Sequence, residues 1–227
     1  MERVLNLPVF ISPKTIIHYP ESDGTPMGET GFHVNVMLYL KQALELYFQQ
    51  QKDIYVAANM FFYYEEGNPS AVAAPDVFVV KGVSKAERRT YKLWEEEEVP
   101  CAIFEITSRS TQREDLGNKR ALYERLNVKE YFIFDPLEEY LSPCLQGFRL
   151  HRGYYHPIPL SDDGSLSSRE LDLILKPAGT LLRLIDPHSQ EMLPTLGEAA
   201  QRANQAEAKA ARLQAELAEL RAQLKRR

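Results

Sequence analysis

Two carboxylates in this 227-residue chain stand where a sheet would bury them. Asp76 lies near the start of the apolar run APDVFVVK (74–81), and Glu105 lies within a second run, CAIFEIT (101–107). Their neighbours Val77, Phe78, Phe104 and Ile106 are residues that a core takes up. An isolated buried carboxylate is costly enough that it pairs, takes up a proton or holds a metal. Two of them at adjacent strand ends make a hard oxygen site suited to magnesium, which binds through few carboxylates plus water and substrate phosphate. A third group follows in sequence. Asp115, Lys119 and Tyr123 are four residues apart and share one helical face, so the lysine can reach back to the strand end from which the helix departs. A cation there would stabilise charge developing on an attacked phosphate. Plainer roles exist for each: strand-end carboxylates can cap loop amides, and Asp115–Lys119 can be a surface ion pair worth a few tenths of a kcal/mol.

The elements that would position these groups are legible from periodicity and turn chemistry. Met37, Leu40, Leu44, Tyr47 and Phe48 recur at three- and four-residue steps, which predicts a helix over about 32–50. Residues 54–64 (IYVAANMFFYY) read as a strand ending at the turn EEGNPS, and 74–81 as a buried strand with Pro75 at its mouth. Residues 84–99 read as a surface loop or short helix, and 101–107 as the strand carrying Glu105. Thr111 followed by Glu114 is a capping-box string that opens a helix to Leu126, with Asn127 as a left-handed stop. A strand over 130–135 completes a strand–helix–strand crossover with right-handed parallel pairing. Residues 147–151 and 154–159 flank an Arg-Gly turn as a hairpin. The fold class is α/β with a mixed sheet.

The strings APDVFVV (74–80) and FEITSRSTQREDLGNKRALYERLNVKEYFIFDP (104–136) resemble the Uma-two family of restriction-endonuclease-like proteins, a branch of the PD-(D/E)XK nuclease superfamily, over roughly residues 19–160. The resemblance implies a restriction-endonuclease-like mixed sheet flanked by helices, and a magnesium-dependent endonuclease acting on DNA, with manganese able to substitute. It implies Asp76 and Glu105 as metal ligands, and a lysine carried in a D-x-x-x-K-x-x-x-Y string, here Asp115, Lys119 and Tyr123. The superfamily usually has its lysine two residues after the glutamate, where this chain has Thr107. Superfamily members often add a carboxylate from the first helix. Glu29, four residues before His33, matches best as that third metal ligand, and Glu21 is the alternative. His33 itself reads either as part of that site or as a partly buried imidazole satisfied by a neighbour. Arg113 and Arg120 read either as solvated helix charges or as phosphate contacts.

Composition weighs on partners. The net charge is −5, whereas nucleic-acid binders are more usually basic, because phosphate neutralisation dominates their affinity. The positive charge is clustered, however, at Lys81, Lys85, Arg88, Arg89 and Lys92 and again at Arg109, Arg113, Lys119, Arg120 and Arg125, so a local basic rim is compatible with the acidic total. A rival reading is a nuclease fold with weak or lost catalysis that acts as a nucleic-acid or protein binding module. The acidic balance and Thr107 favour it. Cys101 and Cys144 offer neither a disulfide framework nor a metal knuckle. The N-terminus lacks signal-peptide features and no apolar stretch approaches a membrane span, so a cytoplasmic address with no membrane partner is expected.

From about Leu196 the composition turns to Ala, Glu, Gln, Arg and Leu. Ala199, Ala203, Ala206, Ala210, Leu213, Leu217, Leu220 and Leu224 follow alternating four- and three-residue steps, a heptad seam. The expected organisation is a nuclease-like domain over 1–193 and a coiled-coil helix over 196–227 that stands clear of it and makes a homodimer. A single solvated helix is the alternative. A third reading makes the tail primary and the globular part its cargo.

Overall fold

The computed structural model describes residues 17–22, 24, 29–108 and 111–224; Arg109 of the second basic cluster lies outside them. In chain order the described elements are helix α1 (Gly31–Tyr47), strands β1 (Ile54–Ala58), β2 (Phe62–Tyr63), β3 (Val72–Ala73), β4 (Val77–Lys81) and β5 (Tyr91–Lys92), helix α2 (Leu93–Glu96) and strand β6 (Ala102–Ile106). A bulged helix follows, made of α3 (Gln112–Glu114), a π-helical stretch (Asp115–Lys119) and α4 (Arg120–Arg125). Then come β7 (Glu130–Phe134), β8 (Leu145–His151), β9 (Tyr154–Pro157), β10 (Leu166–Ser168), β11 (Leu173–Ala178), β12 (Leu181–Ile185) and helix α5 (Leu196–Leu224).

The centre is a mixed six-stranded sheet in the order β1-β4-β6-β7-β8-β9. Only β6 and β7 pair in parallel, and the bulged helix is their crossover; the other pairings are antiparallel. Alternation along the strands divides the core. Val77, Val79, Phe104 and Ile106 face α1 on one side, while Phe78, Val80, Ile103 and Tyr131 face the bulged helix and the small sheet β3-β2-β5 on the other.

Two expectations need correction. The strand expected over 54–64 ends at Ala58, because Asn59 turns left-handed (φ 47°) and gives its N–H to the carbonyls of Pro75 and Asp76. Phe62 and Tyr63 then pair in another sheet. The Thr111 capping box does not form: Thr111 is helical rather than extended (φ −103°, ψ −18°), and its hydroxyl accepts the Ser108 N–H instead. A capping box forms where none was expected. Thr195 and Glu198 bond each other's backbone N–H at the start of α5.

The antiparallel sheet β10-β11-β12 was not foreseen. It packs its leucines 173, 175, 182 and 184 with the α1 face of the core. A Cβ at Gly147 would meet the Leu166 side chain at 2.8 Å, so only glycine lets β10 approach β8 this closely. Tyr39 of α1 stitches the layer down, donating to the Leu193 carbonyl and accepting the Leu184 N–H. No described helix is long and apolar enough to cross a membrane.

Candidate active site

The β4–β6 register pairs Val77 with Phe104 and Phe78 with Ile103. Carried one residue further, it sets Asp76 opposite Glu105 on the face covered by the bulged helix. Like charges directly opposite destabilise a strand pair, so this pair calls for neighbours that offset it. The Ile106 N–H donates to Asp76 Oδ2 at 2.6 Å and ties the two strand ends together. From the other side of the sheet, α1 delivers His33, whose Nε2 lies 2.9 Å from Asp76 Oδ1. Thr30 caps α1 by accepting the His33 N–H, which fixes the imidazole in the first turn. Nδ1 of the same ring stands 3.3 Å from Glu29 Oε2 without hydrogen-bond alignment.

The bulged helix supplies the rest. Lys119 Nζ donates to Glu105 Oε2 at 2.8 Å, and the Tyr123 hydroxyl donates to Oε1 at 2.8 Å. Lys119 also stands 3.0 Å from Asp115 Oδ1, an ion pair whose alignment is too poor for a hydrogen bond. Tyr131 holds the π-helical stretch in place by donating to the Asp115 carbonyl. π-Bulges are recurrent at functional sites because they re-aim side chains within an otherwise regular helix. Here the bulge ends at Lys119, which meets the strand carboxylate Glu105, and Tyr123 follows one turn later in α4.

Four carboxylates in the described residues are buried to 1% exposure or less. Two are satisfied structurally. Asp135 accepts the N–H groups of Leu137, Tyr140 and Leu141, and Glu130 accepts from Arg149, Ser168, Arg169 and Glu170. Glu105 and Asp115 differ: they share one lysine, and neither oxygen of Asp115 accepts a hydrogen bond. With Asp76, three carboxylates face one lysine, which leaves negative charge that a proton or a further cation must offset.

The electrostatics follow from that surplus. Burial pushes Glu105 up to about 8 against the pull of Lys119, with Asp76 and Asp115 adding to the rise. Burial alone would lower Lys119, but Glu105 and Asp115 outweigh it and hold the ammonium above its ordinary range. Burial, then Glu105, keeps the Tyr123 phenol protonated. His33 is lowered by burial but raised on balance by its bond to Asp76 and the charges of Asp76 and Glu29.

The groups open onto a cleft of about 120 Å³ lined by Glu29, His33, Asp76, Glu105, Thr111 and Lys119. At ~30 Å³ per water, this is room for a small ion and part of its hydration shell. Among the described residues no three His, Cys, Asp or Glu side chains form a ready-made metal cage. The donor set fits magnesium in its usual mode, with few carboxylates and the remaining positions filled by water and phosphate. Asp76 and Glu105 are the residues that would hold it, each oxygen keeping one lone pair beyond its present bond.

Residues 2–176 match the family model Uma2, described as "Putative restriction endonuclease". The chain belongs to the Uma2 family. A solved structure similar to it is described as a "putative nuclease belonging to DUF820" from Anabaena variabilis; the two share 11% identity over 64% of this chain and 76% of that one, with a TM-score of 0.46. No curated protein matches the chain.

Several residues considered for the site lie apart from it. Glu21 pairs with Arg89 on the surface. Arg120 lays its guanidinium over the Phe148 ring, 4.1 Å from the centroid, on a different helical face from Lys119. Arg113 is exposed. The basic cluster 81–92 is consumed by contacts within the protein: Lys81 with Glu170, Lys85 with the Phe48 carbonyl, Arg88 with Glu96, Arg89 with Glu21 and Lys92 with Glu95. Sequence reasoning missed the Ile106 amide and Asn59, which lines the cleft and braces Asp76 through backbone. The signal for Asn59 was an asparagine, tolerant of left-handed backbone, interrupting a β-branched and aromatic run.

Proposed function

We propose that this Uma2 protein is a metal-dependent DNA endonuclease that hydrolyses phosphodiester bonds at the Asp76–Glu105–Lys119 centre. The observation that carries the reading is the cross-strand pair of half-buried Asp76 and fully buried Glu105, beside a helix whose one nearby ammonium cannot neutralise three carboxylates. Magnesium, or manganese in its place, would supply Lewis-acid activation of phosphate and an acidified water. Asp76 and Glu105 would hold the ion, with Glu29 near enough on the cleft wall to contribute through water. Lys119 acts as a fixed positive charge rather than a base, because its neighbours raise it, and it offsets charge developing on the attacked phosphate. Asp115 keeps that ammonium in place, Tyr123 orients Glu105, and His33 orients Asp76. Arg113, exposed on the same helix, is the residue best placed for a phosphate contact, and Arg120 serves packing.

A second reading is favoured by a specific observation. Every oxygen of Asp76 and Glu105 already accepts a hydrogen bond, and Thr107 occupies the place of the superfamily lysine. The protein would then bind nucleic acid, or a protein partner, through this cleft without cutting. Gel shifts in calcium beside cleavage assays in magnesium separate the two. The endonuclease gives both a shifted complex and products; the binding module gives the complex alone.

A further inference from the structure

Beyond its first residue, helix α5 presents a seam that the described residues leave bare. Leu213, Leu217 and Leu224 are 49%, 53% and 72% exposed, and Leu220 continues their register in the sequence. Strict alternation of four and three over eight seam positions keeps these residues on one line only if the helix supercoils around another helix, since a lone α-helix drifts about 20° per heptad. The N-terminal end is different. Arg183 of β12 clamps Glu198 through both guanidinium nitrogens, and Ala199, the first seam residue, is half-covered. From Ala203 onward the described seam residues are exposed, and the bulkier apolar side chains among them lie in the leucine half, remote from the globular domain.

We infer that α5 pairs in parallel and in register with α5 of a second copy of this chain. Charge decides the direction. With Ala203, Ala210, Leu217 and Leu224 at one seam position of the heptad and Ala199, Ala206, Leu213 and Leu220 at the other, the flanking residues that meet in a parallel pair are five apart. Arg202 then faces Glu207 of the partner, and Glu216 faces Arg221 of the partner. Lys209 meets the uncharged Gln214, so no flanking pair repels. By symmetry this gives four complementary contacts, and Glu216 and Arg221 flank the leucine half itself.

The antiparallel alternatives do worse. Full antiparallel overlap would lay the partner's Leu224 on Ala199, which the domain already half-covers. Overlap of the leucine halves alone brings no complementary pair together. Parallel pairing also sets both globular domains at the same end of a helix pair some 40 Å long (~1.5 Å per residue). Two sites are then presented together to one duplex. Only this last consequence rests on the nuclease reading.

The test uses the full chain carrying Leu224→Cys, with wild type as the control for Cys144. Light scattering on wild type should give twice the 26.1 kDa chain mass at micromolar concentration, and Leu213→Asp with Leu217→Asp should halve it. Mild oxidation should convert most of the Leu224→Cys protein, but not wild type, into a covalent dimer. A dimer that fails to cross-link overturns the parallel direction, and a wild type as monomeric as the double variant overturns self-association. Neither readout involves DNA, so a failed nuclease reading leaves the result intact.

Discussion

At the scale of single residues, the candidate site is a charge imbalance held in place by geometry. Breaking a buried ion pair by removing one partner costs about 3–5 kcal/mol, but Glu105 can escape part of that by taking up a proton. Lys119→Ala should therefore destabilise the metal-free protein more at pH 8.5 than at pH 6, as read by urea denaturation at both. The wild type has a pH dependence of its own. Glu105 and His33 are both raised in the folded state, so the native protein holds more protons than the unfolded chain between about pH 4.5 and 8, and stability falls as pH rises through that window. A melting temperature that drops from pH 5.5 to 8.5 is expected, and one that rises would count against it. Magnesium bound at the proposed site would compete with that proton, so its stabilising effect should be larger at the higher pH. Asp76 and Glu105 were legible because carboxylates inside apolar runs are conspicuous. The Ile106 amide was not, since a backbone donor has no sequence signature. The two Thr-x-x-Glu strings make the same point: 195–198 closes a capping box and 111–114 does not, because Thr111 has helical backbone that chain geometry alone decides.

At the scale of elements, the crossover from β6 through the bulged helix to β7 was readable from strand chemistry and the Asn127 stop, which takes the left-handed conformation (φ 64°). The π-helical stretch was not, because one extra residue per turn leaves no mark in a four-residue spacing. Removing the Tyr131 hydroxyl that braces it (Tyr131→Phe) should cost about 1 kcal/mol and loosen Lys119 over Glu105. Faster amide exchange across 115–123 than in wild type would report it. The sheet β10-β11-β12 announced itself in alternating leucines at 171, 173 and 175 and at 182 and 184, a period-two signal interrupted by short turns and easily passed over. Its latch to the central sheet is Glu130, which joins Arg149 to Ser168 and the amides of Arg169 and Glu170. Glu130→Ala would orphan those amides and Arg149 at a cost of about 3 kcal/mol or more. It should expose the region beyond residue 160 to protease before the rest of the chain, and uniform resistance would argue that the leucine packing suffices.

For the whole molecule, the net charge of −5 argued against nucleic acid, and the structure explains part of that charge locally. The basic residues of 81–92 neutralise acidic partners within the protein, and the acidic surplus includes carboxylates gathered at the cleft itself, where an added cation would change the sign of the local field. Affinity for DNA should accordingly depend on divalent metal. In the parallel pair inferred for α5, the tail would add a second copy and a second candidate site facing the same way. The measurement that tests the central claim most directly is relaxation and linearisation of supercoiled plasmid in magnesium by wild type, Asp76→Asn and Glu105→Gln, with a chelator control. Cleavage by the wild type alone, lost by at least about 100-fold in either variant and abolished by the chelator, is the expected result. Equal cleavage by all three proteins, or no cleavage by a wild type that binds the plasmid and the metal, would contradict it.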